Sequence, residues 1–264
     1  MSYPRKLQEH RGLAFGICVA LVEPLLRLLT RQRWIDGTKI PAQGGCVVAG
    51  NHVSHLDPFT FAHFIYGHGR IVRFLAKAEV LDLPVVGRLI RATGQIPVYR
   101  LTSDASLAFT AAVQAVEEGK CVVVYPEGTI TREPGLWPMT GKTGAARIAL
   151  ASGVPVIPVA QWGPQDILAP YARKPRLLPP KTITVKAGDP VDLDDLRGLN
   201  PTPEVLRQAT DRIMDAITRE LEDIRGEKAP DVRYDSRSRG VREIGNPNAP
   251  DRTRRRRPRT GDSA

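Results

Sequence analysis

Apolar positions along this chain follow two rhythms. Short valine- and isoleucine-rich runs alternate with stretches in which apolar residues recur every three or four positions. The runs Cys46–Ala49, Ile71–Ala76, Cys121–Tyr125, Val154–Ala160 and Thr182–Lys186 predict strands. The central ones barely alternate, as expected where both faces of a strand are buried. Helices are predicted between them. One opens at Asp57-Pro58, good N-terminal chemistry. Another spans Ser103–Glu118 and is closed by Gly119, and a third follows Lys142–Ala151 up to Gly153. A last helix starts near Thr202-Pro203 and lines up Leu206, Ala209, Ile213, Ile217 and Leu221 on one stripe. Strands alternating with helices predict an α/β fold, a largely parallel central sheet flanked by helices.

The two ends break this rhythm. Residues 7–31 read as one or two short helices, broken or kinked near Pro24. Their uninterrupted apolar part falls short of the roughly 20 residues that a bilayer requires. Arg11, Arg27, Arg31 and Arg33 surround it and Trp34 follows, a pattern that suits a helix lying in the membrane interface. A helix packed on the body and a hairpin dipping into one leaflet are the other readings. After Gly226 the chain is rich in Arg, Pro, Gly, Asp and Ser and nearly free of large apolar residues, which predicts disorder. The expected organisation is therefore 1–33 as a membrane-interface helical segment, 34–225 as the folded α/β domain, and 226–264 as a disordered Arg-rich tail.

Charge sharpens this division. Of the formal net charge of +10, residues 226–264 carry +5 and residues 1–33 carry +4, which leaves +1 for the body. A nucleic-acid domain would carry its charge on the folded surface, so no specific nucleic-acid partner is expected. Basic ends fit an anionic membrane better, although an Arg-rich tail alone could also serve a binding protein. Cys18, Cys46 and Cys121 all lie in apolar runs and read as small buried hydrophobes in a reducing compartment. No signal peptide is evident.

Candidate chemistry is concentrated in four blocks. Asn51-His52-Val53-Ser54-His55-Leu56-Asp57 follows the first buried strand directly. Through a tight loop Asp57 can hold one imidazole nitrogen of His52, leaving the other to accept a proton from a hydroxyl. That is the base and orienter of a catalytic triad without its serine; the alternative is that Asp57 only caps the helix. In Tyr125-Pro126-Glu127-Gly128-Thr129 a buried strand ends in a turn where Gly128 permits close backbone approach. Gly94-Gln95-Ile96-Pro97-Val98-Tyr99-Arg100 is a short strand ending in an arginine that suits a phosphate. Val154–Val159 is a strand with two prolines that shapes a pocket wall. Gly141-Lys142-Thr143 imitates a P-loop end, but the motif needs glycine where Leu136 stands. There is no G-x-S-x-G and no pattern of metal ligands.

In this order the blocks NHVSHLD, GQIPVYR, YPEGT and VPVIPV resemble the lysophosphatidate acyltransferase family of glycerolipid acyltransferases. Its pattern is N-H-x-x-x-x-D, G-x-I-x-V-x-R, [FY]-P-E-G-T and V-P-[VI]-[IV]-P-[VI]. The resemblance covers roughly residues 34–190. It implies acyl transfer from a thioester of coenzyme A or carrier protein to the sn-2 hydroxyl of lysophosphatidate, with no bound cofactor and no metal. Glycerol 3-phosphate or another lysolipid is the alternative acceptor. His52 would be the base and Asp57 its partner. Lys77, Arg100, Glu127, Gly128 and Thr129 would contact the acceptor. Where the family has an arginine directly after PEGT, this chain has Ile130, and Arg132 stands in two residues on. Pro97 replaces a common phenylalanine. Lys142, in a segment similar to the family's K-x-G-A, is expected at a helix N-terminal surface, with a ligand contact as the other reading. The protein is expected on the cytoplasmic face of the cell membrane, peripheral or monotopic.

Overall fold

The computed structural model describes residues 3–78, 82, 84, 86–98, 105–240 and 246. Within them lie strands β1 (Thr30–Ile35), β2 (Cys46–Gly50), β3 (Val72–Lys77), β4 (Ile96–Val98), β5 (Cys121–Val124), β6 (Val156–Trp162) and β7 (Lys181–Ala187). The helices are α1 (Leu13–Leu29), α2 (Asp57–Gly67), α3 (Val86–Ala92), α4 (Ala105–Glu117), α5 (Gly144–Ser152), α6 (Pro164–Ile167) and α7 (Pro203–Arg225). The strands form one sheet in the order β1-β7-β6-β2-β5-β3-β4. Every neighbouring pair is parallel except β6 and β7. The predicted α/β class and largely parallel sheet are present.

Strand β2 lies at the centre and is buried along its whole length, so its two faces feed two cores. Val47 and Ala49 pack with α4, α5 and α7, through Val116, Ile148 and Ile213. Cys46 and Val48 pack with Phe61 and Phe64 of α2 and Phe15 of α1 on the other side. Each such buried valine contributes about 1.5–3 kcal/mol. Gly50 ends β2 because an added Cβ would come within 2.3 Å of the Phe61 ring and 3.1 Å of the Val159 carbonyl. A side chain there would push α2 off the strand.

Three expectations change. First, β1 escaped the sequence reading. As an edge strand it needs only one covered face, and Arg31 and Arg33 point outward from TRQRWI, which hides its apolar signal. It also straddles the boundary expected at residue 33. Second, α1 runs unbroken from Leu13 to Leu29 with Pro24 inside it. Third, residues 227–240 do not leave the body as a free tail. Ala229 N–H donates to Glu222 Oε1 at 2.9 Å, and Arg233 pairs with Asp211 and Asp215 of α7. Ion pairs and main-chain bonds hold this stretch where apolar burial is sparse. Residues 241–245 and 247–264 lie outside the described residues, as do Arg100 and Ser103.

α7 matches its prediction closely. Thr202 accepts a hydrogen bond from Val205 N–H at 3.3 Å, and Gly226, at φ +66°, closes the C-terminus. Its stripe buries Ala209, Ile213, Ile217 and Leu221, and also Met214, which the spacing had not singled out.

Candidate active site

The site lies at the carboxyl ends of β2 and β5, where parallel sheets habitually leave a crevice. Asn51 continues the line of β2 by side chain. Its Nδ2 donates to the Gln161 carbonyl at 3.0 Å, and its Oδ1 accepts from Gln161 N–H at 2.8 Å. This buried amide copies a main-chain pair and fixes where the chain leaves the sheet. His52 comes next, at the rim.

His52 and Asp57 meet as the spacing predicted: Nδ1 lies 2.7 Å from Asp57 Oδ2. The same oxygen accepts from Val53 N–H at 2.5 Å and Ser54 N–H at 2.8 Å. Asp57 therefore clasps the loop before it, and it makes no side-chain cap to its own helix. Pro58 in the first turn needs no amide donor there. Burial raises the Asp57 carboxyl above its ordinary range, opposed by the His52 contact and the two amides. With Nδ1–H donating to Asp57, Nε2 is left as the acceptor, and none of the described residues hydrogen-bonds it. The His52 side chain is 16% exposed, enough to reach a substrate.

Two further residues hold His52, and sequence reasoning missed both roles. The Tyr125 ring stacks on the imidazole, centroids 4.3 Å apart and planes 17° from parallel. Glu127 is buried and reaches the main chain: Oε1 accepts from His52 N–H at 3.2 Å and Oε2 from Met139 N–H at 3.0 Å. Burial pushes its carboxyl up to about 8, against the pull of those amides. The Thr131 N–H adds a bond to the His52 carbonyl at 2.7 Å. Both peptide groups of the base are thus tied to the turn after β5. A sequence separation of 75 residues gave no sign of it.

Beside this turn opens a cavity of about 450 Å³, lined in part by Glu127, Thr129, Arg132 and Lys142. Gly128 adopts φ +69°, and an added Cβ would press on the Lys142 side chain at 3.3 Å. Lys142 is solvent-exposed just ahead of α5, as expected, and it also lines the cavity. Ile130 is buried, while Arg132 reaches the cavity and its Nε lies 3.5 Å from the Tyr171 hydroxyl. Thr129 Oγ1 lies 3.4 Å from that same hydroxyl. Lys77 ends β3, next to β5 in the sheet; Arg100 is outside the described residues.

The buried Asp57 carboxylate holds the His52 ring and leaves Nε2 as an acceptor, an arrangement able to take a proton from a hydroxyl; Glu127, bonded to the His52 N–H, lines the cavity together with Arg132 and Lys142. Residues 33–162 match the Acyltransferase family model. Over much of that segment the chain is similar to several 1-acyl-sn-glycerol-3-phosphate acyltransferases. It is 30% identical over 138 residues to the 1-acyl-sn-glycerol-3-phosphate acyltransferase of Borreliella burgdorferi, covering 49% of this chain and 53% of that protein. It is 33% identical over 126 residues to the lyso-ornithine lipid O-acyltransferase of Pseudomonas aeruginosa, covering 46% of each. The chain spans between about a third and about half the length of the curated relatives it matches. In fold it is similar to the crystal structure of the 1-acyl-sn-glycerophosphate acyltransferase PlsC from Thermotoga maritima. That likeness has a TM-score of 0.57 at 23% identity and covers 80% of this chain and 82% of the other.

Proposed function

We propose that this protein transfers a fatty acyl group from a thioester to the sn-2 hydroxyl of lysophosphatidate, giving phosphatidate. The observation that carries the reading is the His52–Asp57 pair with Nε2 left as acceptor, joined through the His52 N–H to Glu127, which lines the cavity that also holds Arg132 and Lys142. Nε2 removes the hydroxyl proton as that oxygen attacks the thioester carbonyl. The tetrahedral intermediate collapses by breaking the carbon–sulfur bond, and the protonated His52 returns its proton to the departing thiolate. Asp57 stays ionised and steadies the imidazolium. Glu127 serves this chemistry through the main chain, by fixing where His52 stands. Arg132 and Lys142 bind the acceptor's phosphate, with Gly128 and Thr129 shaping the turn; Lys77 and Arg100 are proposed on the family resemblance alone. Coenzyme A or carrier protein supplies the acyl group, and no bound cofactor takes part.

Membrane contact follows from the nature of the acceptor, which is anchored in a bilayer. On α1, Leu13, Ile17, Leu21, Leu25 and Leu28 are exposed at helical spacing, Leu13 to 83% and Leu28 to 72%. Among the described residues no helix is long and apolar enough to cross a membrane. The reading is a helix lying in the interface, with the protein peripheral or monotopic on the cytoplasmic face. Replacing both Leu21 and Leu25 by lysine is expected to move the protein from sedimenting anionic vesicles to the supernatant. Unchanged sedimentation would remove α1 from this role. Deleting residues 1–33 is a poorer test, because it takes most of β1.

A second reading, an acceptor other than lysophosphatidate, is supported by the likeness to an enzyme named for lyso-ornithine lipid. One experiment tests both. Vesicles carrying the protein and a labelled acyl thioester are offered lysophosphatidate, glycerol 3-phosphate and zwitterionic lysolipids in turn. Lysophosphatidate should give the highest rate. Faster acylation of another acceptor replaces the first reading with the second.

A further inference from the structure

The segment between β6 and β7 lies at the same end of the sheet as the crevice. Strand β6 runs parallel to β2 and so ends there, and β7, antiparallel to β6, begins there. The segment is fastened on its inner side. Ser54, in the His52 loop, donates its hydroxyl to the Leu168 carbonyl at 2.7 Å, and the Tyr171 hydroxyl donates to the Ile130 carbonyl at 3.1 Å. The Arg176 N–H donates to the Ile167 carbonyl at 2.6 Å and closes the stretch into a loop. Its outer side is bare: every residue from 173 to 179 is exposed, Leu177 to 41% and Leu178 to 74%. Thr30 pairs with Lys181 at the start of two parallel strands, so the loop enters β7 beside the point where α1 enters β1. The last turn of α1, with Leu28 exposed, therefore reaches the same edge.

Resting on the reading of α1 as a helix lying in the interface, we propose that the loop of residues 173–178 is a second membrane contact, one that binds an anionic lipid surface beside the crevice. Arg173, Lys174 and Arg176 meet the headgroups, and Leu177 and Leu178 enter the apolar layer beneath them.

Charge and shape both favour a lipid surface. Between Asp166 and Asp189 the sequence holds no acid and five cations. Lys186 is taken up by Glu220 and Asp223, whereas Arg173, Lys174, Arg176 and Lys181 form no ion pair with the described residues. Such cations repel one another, and each one that reaches an anionic surface tightens binding about fivefold. An acidic protein would also attract them, but the two leucines would then need a matching apolar groove. A bilayer receives them wherever they meet it. Continuity with the leucine stripe of α1 points the same way, because one surface can meet both. Pro175, Pro179 and Pro180 restrict the backbone, so little conformational freedom is lost on docking.

The test uses the whole chain and vesicles of phosphatidylglycerol mixed with phosphatidylcholine. A triple variant, Arg173→Gln with Lys174→Gln and Arg176→Gln, changes exposed positions only, and its thermal unfolding should match wild type. Its partitioning onto the mixed vesicles should weaken on the order of a hundredfold, while partitioning onto pure phosphatidylcholine stays at the wild-type level. In otherwise unaltered protein, Leu177→Trp should add emission that acyl-brominated lipid in the mixed vesicles quenches. Unchanged partitioning of the triple variant overturns the proposal, and so does added emission that brominated lipid leaves unquenched. A triple variant that keeps its vesicle binding but loses binding to acyl carrier protein makes the loop a protein-docking site and overturns it too. The reading of α1 fails separately. If Leu21→Lys with Leu25→Lys leaves sedimentation unchanged while the triple variant is released, the loop stands as a membrane contact and α1 does not. The opposite pair of results keeps α1 and removes the loop.

Discussion

Two buried ionic centres sit at opposite ends of the same sheet, and they are finished to different degrees. At the amino ends of β2 and β5, Arg70 is completely buried, and its guanidinium meets one carboxylate and three carbonyls. Nε pairs with Glu9 at 2.8 Å, Nη1 with the Pro41 carbonyl at 2.6 Å, and Nη2 with those of Gly44 and Gly119 at 2.9 and 2.7 Å. At the carboxyl ends, Asp57 is equally buried, but its Oδ1 has no partner among the described residues and His52 Nε2 stays open. Giving every guanidinium nitrogen a partner locks three segments together and leaves nothing to react. Leaving one nitrogen unsatisfied at the crevice costs stability and creates a base.

That contrast can be broken by paired substitutions. His52→Ala should lower acyl transfer on the order of 10²–10⁴-fold while leaving thermal unfolding almost unchanged. Arg70→Ala should do the opposite. It strands Glu9 and three carbonyls, and a loss of about 3–5 kcal/mol of stability is expected, with activity falling only as the folded fraction falls. A stable Arg70→Ala protein, or an active and folded His52→Ala protein, would erase the distinction. A smaller effect separates the two carboxyl groups at the site. Glu127 has its folded value raised to about 8 from an ordinary 4.5, so the native state binds more protons than the unfolded chain between those values. Stability due to Glu127 is then present below about pH 4.5 and is lost as pH rises towards 8, on the order of a few kcal/mol. Denaturant titrations across this window should show wild type losing stability relative to Glu127→Gln. Parallel curves would mean that Glu127 is ionised throughout.

The His52–Asp57 pair was legible because it is local. Asn51 to Asp57 is one loop, and tight-loop geometry follows from a strand end and a Pro-marked helix start. The central strands were legible because burial on both faces leaves an unbroken apolar run. What stayed hidden depends on distant partners. Asn51 gains its meaning from Gln161, 110 residues away, and Glu127 from the His52 amide. The stacking of Tyr125 beneath the imidazole needs β2 and β5 to be neighbours, which no periodicity states. Residues 227–240 misled for another reason: their composition is that of free chain, and what anchors them is a set of ion pairs to α7 rather than apolar area.

The anchoring of α1 has a mechanical consequence. Glu9, just before the helix, is tied to Arg70, and Thr30, which opens β1, follows its last residue directly. Both ends are therefore clamped to the rigid sheet, and the helix acts as a keel rather than a tether. Whatever surface receives its leucine stripe receives the whole domain in one attitude, with the crevice at a fixed height and tilt. A lipid hydroxyl would then be met by a catalyst already aimed, and reach would come from the lipid rising to the site rather than from the protein bending down.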